Sequence, residues 1–145
     1  MIESVLVVCV GNVCRSPVGE RLLQSKAPNV TVSSAGVGAL VNKPADATAS
    51  RVAAEKGVSL EGHKGRQATA EILSAADLIL VMETGHKAAI SQIAPQVSGR
   101  VMLVDHWTGG KNIADPYKRS QEFHEQVFRQ LDTAMNGWSQ RLAAK

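Results

Sequence analysis

Residues 4–23 read SVLVVCVGNVCRSPVGERLL. A nearly continuous apolar run, Ser4 to Val8, stops at Cys9; a Val-Gly-Asn-Val loop follows, and Arg15, Ser16 and Pro17 then open a helical stretch that ends at Lys26. Apolar continuity of this kind marks a strand covered on both faces, as in a parallel sheet. Ser at an N-cap with Pro in the first helical position is a helix start signal. The stretch therefore reads strand, loop, helix, with its loop at the carboxyl end of the strand, the edge on which open α/β sheets carry function.

Three more short runs read as strands: VTVSS at Val30 to Ser34, DLILVM at Asp77 to Met82 and RVMLV at Arg100 to Val104. Helical segments at Ala45 to Lys56, Thr69 to Ser74 and Gly85 to Ile93 supply, with Pro17 to Lys26, the crossovers that parallel strands require. From Ser120 to the chain end, Phe123, Val127, Leu131, Ala134, Met135, Trp138 and Leu142 fall on one stripe at helical spacing. Core packing against the sheet accounts for that stripe. The expectation is one α/β domain over residues 1–145, without repeat or linker.

Composition excludes more than it selects. Apolar residues make up 44% of the chain and charged residues 20%, a globular composition. The net charge is +3 and no Lys/Arg run is present, so nothing points to nucleic acid. No apolar stretch is long enough to span a membrane, and Glu3 stands where a signal peptide would be basic, so a cytoplasmic protein without membrane insertion is expected. The two cysteines, Cys9 and Cys14, complete neither a disulfide framework nor a zinc site with any clustered His. No metal is implied.

Gly11 and Asn12 tolerate left-handed backbone, which lets the N–H groups from Val10 through Arg15 turn toward one point. A ring of N–H donors at a helix N-terminus is an anion site. Arg15 adds a planar fork able to grip two phosphate oxygens. A thiol among such donors ionises readily, which makes Cys9 a candidate nucleophile beneath the phosphorus of a phosphate monoester. The opposing reading of Cys9, a packed thiol at a strand end, does not explain the spacing to Arg15. After the fourth strand, Asp115, Pro116 and Tyr117 lie on the same edge of the sheet, where a carboxyl group can protonate a leaving oxygen and later activate water. On the residues alone, Cys14 is either a packed or a resolving thiol. His63 reads as a structural histidine; His86, His106 and His124 read as solvent-facing, and KRSQEFHEQ (residues 118–126) as a solvated helix face.

Together these residues resemble the low-molecular-weight protein tyrosine phosphatases. The family signature V-C-x-G-N-[IV]-C-R-S-P is matched by VCVGNVCRSP at Val8 to Pro17, and its D-P-Y by residues 115–117. The likeness extends to SSAG at Ser33 to Gly36 and GHKGRQ at Gly62 to Gln67. SAGVGALV and LEGH are most similar to the bacterial branch that serves capsule and exopolysaccharide tyrosine autokinases. The resemblance implies a four-stranded parallel sheet of order 2-1-3-4 with helices on both faces, and phosphotyrosine hydrolysis through a phosphocysteine, with no cofactor.

It further implies Cys9 as nucleophile, Arg15 as phosphate clamp and Asp115 as general acid. Val10, Gly11, Asn12, Val13, Cys14 and Ser16 form the phosphate-binding loop, with Ser16 bonded to the thiolate and with Ser34 and His63 holding Asn12. Cys14 matches the cysteine that forms a disulfide with Cys9 on oxidation. Leu40 and Tyr117 line the substrate slot, where this chain has Ala39, Leu40 and Val41 in place of the aromatic residue of eukaryotic relatives. The implied partner is a phosphotyrosine protein, a tyrosine autokinase, and the implied state a monomer. One rival is an arsenate reductase of the same fold, which needs further cysteines after Cys14. Another is an inactive phosphotyrosine-binding module, which needs neither thiolate nor acid.

Overall fold

Alternation along the first strand decides the layering. In β1 (Ser4–Cys9), Val5 and Val7 pack into one cluster and Leu6 and Val8 into another, and all four are buried. A strand with no wet face must be covered on both sides. A computed structural model describes residues 1–143. In it β1, β2 (Thr31–Gly36), β3 (Leu78–Val81) and β4 (Val101–Leu103) form one sheet of order β2-β1-β3-β4. Every pairing is parallel. Order and direction are those the resemblance implied.

Helices α1 (Arg15–Lys26), α2 (Ala47–Glu55) and α5 (Gln121–Leu142) cover one face; α3 (Ala70–Ala75), α4 (Thr84–Ile93) and a 3-10 turn at Pro95–Arg100 cover the other. The stripe on α5 is buried from Val127 to Leu142, and the Trp138 indole N–H donates to the Val104 carbonyl at 2.8 Å, pinning the helix to the end of β4. Phe123 is only half-buried, beneath the Arg119 guanidinium 4.5 Å away. The helix predicted from Ser120 to the chain end closes at Leu142, and residues 144–145 lie outside the described residues.

Two expectations are corrected. Helix α1 begins at Arg15, two residues before Pro17, and Ser16 does not cap it, because its hydroxyl is engaged with Cys9 and Asn12 instead. His86 and His124 are buried rather than solvent-facing, although His106 is exposed. Their helical positions explain this. His124 is in register with Val127, Phe128 and Leu131 on α5, and His86 is one turn before Ile90 on α4. Other element boundaries fall within two residues of those predicted.

With β1 and β3 adjacent and their connections leaving in opposite directions, a crevice opens at the carboxyl ends of these two strands. Cys9 ends β1, and Glu83 follows the end of β3 by two residues.

Candidate active site

The loop after β1 is defined by where its carbonyls go. The Cys9, Val10 and Gly11 carbonyls accept the N–H groups of Val37, Gly38 and Leu40 at 3.0, 3.0 and 2.9 Å. The Asn12 carbonyl accepts from His63 Nε2 at 2.6 Å, and that of Val13 from Asp46 N–H at 2.8 Å. Every peptide bond of the loop is trans, so each carbonyl turned outward turns the next N–H inward. Among the described residues, none of the N–H groups from Val10 to Cys14 has a partner. The result is a cradle of free donors at the start of α1, suited to an oxyanion. Close approach from β2 builds it: a Cβ on Gly36 would collide with the Val10 carbonyl oxygen.

Asn12 adopts φ +59°, a left-handed conformation, and is fully buried. Its side chain fixes the polarity of a hydrogen-bond chain. Because Oδ1 accepts the Arg66 N–H at 2.9 Å, Nδ2 must donate, and it does so to Ser16 Oγ at 2.7 Å and Ser34 Oγ at 3.1 Å. The Ser34 hydroxyl in turn donates a hydrogen bond to Glu20 Oε1 at 2.6 Å. Ser16 accepts from Asn12 and lies with Oγ 2.9 Å from Cys9 Sγ, so that its hydroxyl is the donor to the sulfur whenever the sulfur is a thiolate.

Arg15 is 2% exposed, and its Nη1 donates to Glu83 Oε2 at 2.5 Å and to the Ile113 carbonyl at 2.7 Å. Its Nε and Nη2 have no hydrogen-bond partner among the described residues, and Nη2 lies 3.8 Å from Asp115 Oδ2. One edge of the guanidinium is thus anchored and the other is free for a ligand. Cys9, Val10, Gly11, Val13, Cys14, Arg15, Leu40, Asp115 and Tyr117 line one cleft of about 190 Å³. Val10, Leu40 and Tyr117 keep an exposed apolar rim around it. Ser16 and Ser34 lie beneath the loop, and His63 beside it.

Burial pushes the Cys14 thiol far up, Asp46, Cys9 and Asp115 add to the effect, and Arg15 opposes it. It remains a neutral thiol, and both cysteines are free.

Sequence reasoning missed three residues: Glu20, Glu83 and His86. Glu20 ends the Asn12 chain from one turn beyond Ser16, while Glu83 holds Arg15 and lies 3.8 Å from His86 Nε2. Burial lowers the His86 pKa, Arg15 lowers it further, and Glu83 and Asp115 partly oppose. The available signal was position. A carboxylate just past β3, beside β1 at the crevice, faces whatever β1 presents.

A parallel sheet whose first strand delivers a cysteine, an inward ring of N–H donors and an anchored arginine defines the class: an α/β protein that handles phosphate at a strand-to-helix loop. The chain belongs to the low molecular weight phosphotyrosine protein phosphatases, whose family model matches residues 4–145. It is 54% identical over 141 residues to the low molecular weight protein-tyrosine-phosphatase Etp of Escherichia coli K12, covering 97% of this chain and 95% of Etp. The crystal structure of the tyrosine phosphatase Wzb from Escherichia coli K30 in complex with sulphate superposes with a TM-score of 0.97 at 46% identity, covering 99% of this chain and 100% of that one. Wzb of Vibrio vulnificus in complex with benzylphosphonate superposes at 0.96 and 47% identity, covering 98% of this chain and 100% of that one. The chain is a phosphatase. Among the described residues, no helix is long and apolar enough to cross a membrane.

Proposed function

We propose that this phosphatase hydrolyses phosphotyrosine through a phosphocysteine on Cys9. The observation that carries the reading is the polarity of the loop: all carbonyls from Cys9 to Val13 face out, and the Ser16 hydroxyl lies within hydrogen-bond distance of the sulfur. The N–H cradle and the free edge of Arg15 grip the phosphoryl oxygens, with Cys9 Sγ beneath phosphorus. Sulfur attacks in line, the bond from phosphorus to the phenol oxygen breaks, and the Asp115 carboxyl gives its proton to that oxygen. Water then attacks phosphorus and yields a proton to the Asp115 carboxylate; the S–P bond breaks, releasing phosphate and the thiolate. Arg15 and the loop donors stabilise the charge on the equatorial oxygens in both steps.

The apolar rim of Val10, Leu40 and Tyr117 suits an aromatic stem long enough to carry a phosphate down to Cys9. Benzylphosphonate bound to the Vibrio relative has that shape. The proposed substrate is a phosphotyrosine protein, a tyrosine autokinase of capsule or exopolysaccharide regulation, as the SAGVGALV and LEGH stretches suggest. The reductase alternative finds no support in a chain with two cysteines in all.

Rapid acid quench during turnover of p-nitrophenyl phosphate should trap a phosphoryl group on the peptide containing Cys9. Cys9→Ser should abolish turnover while vanadate still binds. Near-wild-type turnover by Cys9→Ser would falsify the covalent route; no turnover by the wild type would leave a binding module. A phosphorylated tyrosine autokinase should lose its phosphotyrosine on incubation with the enzyme; an autokinase left intact removes that partner.

A further inference from the structure

The loop that leads from β4 to Asp115 also lines a second hollow. Asp105, 5% exposed, organises it: its carbonyl accepts the Thr108 and Gly110 N–H groups at 3.0 and 2.9 Å, and its Oδ2 accepts that of Lys111 at 2.9 Å. Farther along, the Thr84 N–H donates to Asn112 Oδ1 at 2.8 Å and the Ile113 N–H to the Met82 carbonyl at 2.8 Å. The loop is thus tied to itself and to the chain just past β3.

Between this loop and α5 lies a groove of about 330 Å³. The helix contributes Gln126, Arg129, Gln130 and Thr133, whose three- and four-residue spacing puts them on one face; the loop contributes Lys111 and Asn112. Asp105 is the one carboxylate among the described residues that line it, and it is sealed underneath, with Oδ2 held by the Lys111 N–H and Oδ1 out of contact with solvent. Lys111 and Arg129 are exposed, and among the described residues neither has an ion-pair partner. The Gln126 and Gln130 side chains are exposed beside them.

Two uncompensated cations and a set of amides fit an acidic peptide in extended form. Its carboxylates meet the cations, and its main-chain N–H and C=O groups meet amides that both donate and accept. A second phosphotyrosine fits less well, because its ring would find no wall like that of Val10, Leu40 and Tyr117. The groove also adjoins the chemistry. Ile113 lines it while giving its carbonyl to Arg15, and Asp115, two residues on, lines the catalytic cleft. An extended chain rises about 3.3 Å per residue, so a peptide with its phosphotyrosine in the cleft crosses residues 113–115 and enters the groove within about three to six residues.

We infer that this groove is a docking site for acidic residues flanking the phosphotyrosine of a protein substrate, with Lys111 and Arg129 as its selecting charges. It rests on phosphotyrosine proteins being the substrate.

Steady-state kinetics at low ionic strength on paired phosphotyrosine peptides tests it. One peptide of each pair carries a run of Glu about three to six residues from the phosphotyrosine, on either side in turn, and the other carries Gln in its place. Wild type should favour one of the Glu peptides about five- to tenfold in kcat/KM, through KM, and the preference should fade as salt is added. Lys111→Gln with Arg129→Gln should lose that preference and Lys111→Glu with Arg129→Glu should reverse it, while p-nitrophenyl phosphate, too small to reach the groove, is hydrolysed as before. Arg51→Glu with Lys56→Glu makes the same change of charge on α2, outside the groove, and should keep the preference. Groove variants that discriminate like wild type overturn the inference, as does a loss matched by the α2 variant, which would mark a long-range field in place of a site. If wild type hydrolyses p-nitrophenyl phosphate but no phosphotyrosine peptide, the substrate reading falls and takes this inference with it. If it hydrolyses the Glu and Gln peptides alike, only the groove falls.

Discussion

The phosphate loop and the loop bearing Asp115 face each other across one cleft, yet they are built in opposite ways. From Cys9 to Ser16 every residue but Val10 and Gly11 is buried, each outward carbonyl has a donor, and Asn12 is bonded through its carbonyl, its Oδ1 and its Nδ2. From Ala114 to Ser120 only Pro116 is buried, and Asn112 and Lys118 take left-handed backbone at the edges of the loop. The contrast follows from what each must do. A ring of donors stabilises developing charge only if it does not reorganise during the reaction, whereas a proton donor must admit the substrate, release the phenol and then admit water.

If the contrast is real, the rigid loop should tolerate no change. Cys9→Ser should eliminate turnover. Arg15→Lys should lower kcat/KM for an aryl phosphate by about 10³-fold, because a point charge cannot replace a fork held by Glu83 and Ile113 on one edge and free on the other. Steady-state kinetics on p-nitrophenyl phosphate measures both, and a lysine variant of near-normal activity would place Arg15 outside the chemistry.

The open side should fail selectively. Asp115→Asn removes the transferable proton and leaves the cradle intact, so phenyl phosphate should slow by about 10²-fold or more. p-Nitrophenol departs readily as an anion and should be affected less. A plot of log kcat against leaving-group pKa should steepen in the variant; parallel lines would pass the acid role to another group.

How much of this could be read in the sequence divides along the same line. The individual strands, the crossover helices and the Cys9-to-Arg15 loop were legible because they are local, marked by short continuous apolar runs, turn residues and a fixed five-residue gap; the strand order came only with the family resemblance, since it depends on pairings between distant segments. The start of α1 was misplaced because the rule that makes Ser16 a cap is overridden when its hydroxyl has a better partner in Cys9 and Asn12. Glu20, Glu83 and the burial of His86 and His124 were not legible. Their roles depend on pairings across 14 residues for Glu20 and Ser34 and 68 for Glu83 and Arg15, which no local pattern encodes. A histidine in a charged stretch such as KRSQEFHEQ looks solvated until the period of α5 is counted through it.

Oxidation sharpens the comparison within the rigid loop. Burial holds Cys14 as a neutral thiol, so peroxide should attack Cys9 first, and Cys14 should then close on the resulting sulfenic acid with loss of water. Wild type treated with peroxide should regain most of its activity on thiol reductant, and Cys14→Ser should regain several-fold less because its Cys9 oxidises further. Equal recovery would make Cys14 a packing residue.

The smallest effect is on stability, and it compares the buried histidine behind each loop. Burial is the leading cause that lowers the pKa of both from the ordinary 6.5; Arg15 assists at His86 against Glu83 and Asp115, and Arg51 assists at His124 against Asp46, Pro116 and Asp115. Above about pH 6.5 both rings are neutral folded or unfolded, and they contribute no pH dependence. Below it the unfolded chain binds protons that the folded protein refuses, so stability falls with pH until the folded values are passed. Urea midpoints should therefore drop between pH 7.5 and 5.5, well above the range in which Asp77, whose pKa is lowered chiefly by the Glu3 and Ser4 N–H groups, begins to matter. His86→Asn and His124→Asn should each flatten that slope. If only His86→Asn does so, the His124 ring is hydrated in the folded protein, and the open side of the cleft reaches α5 rather than ending at Pro116.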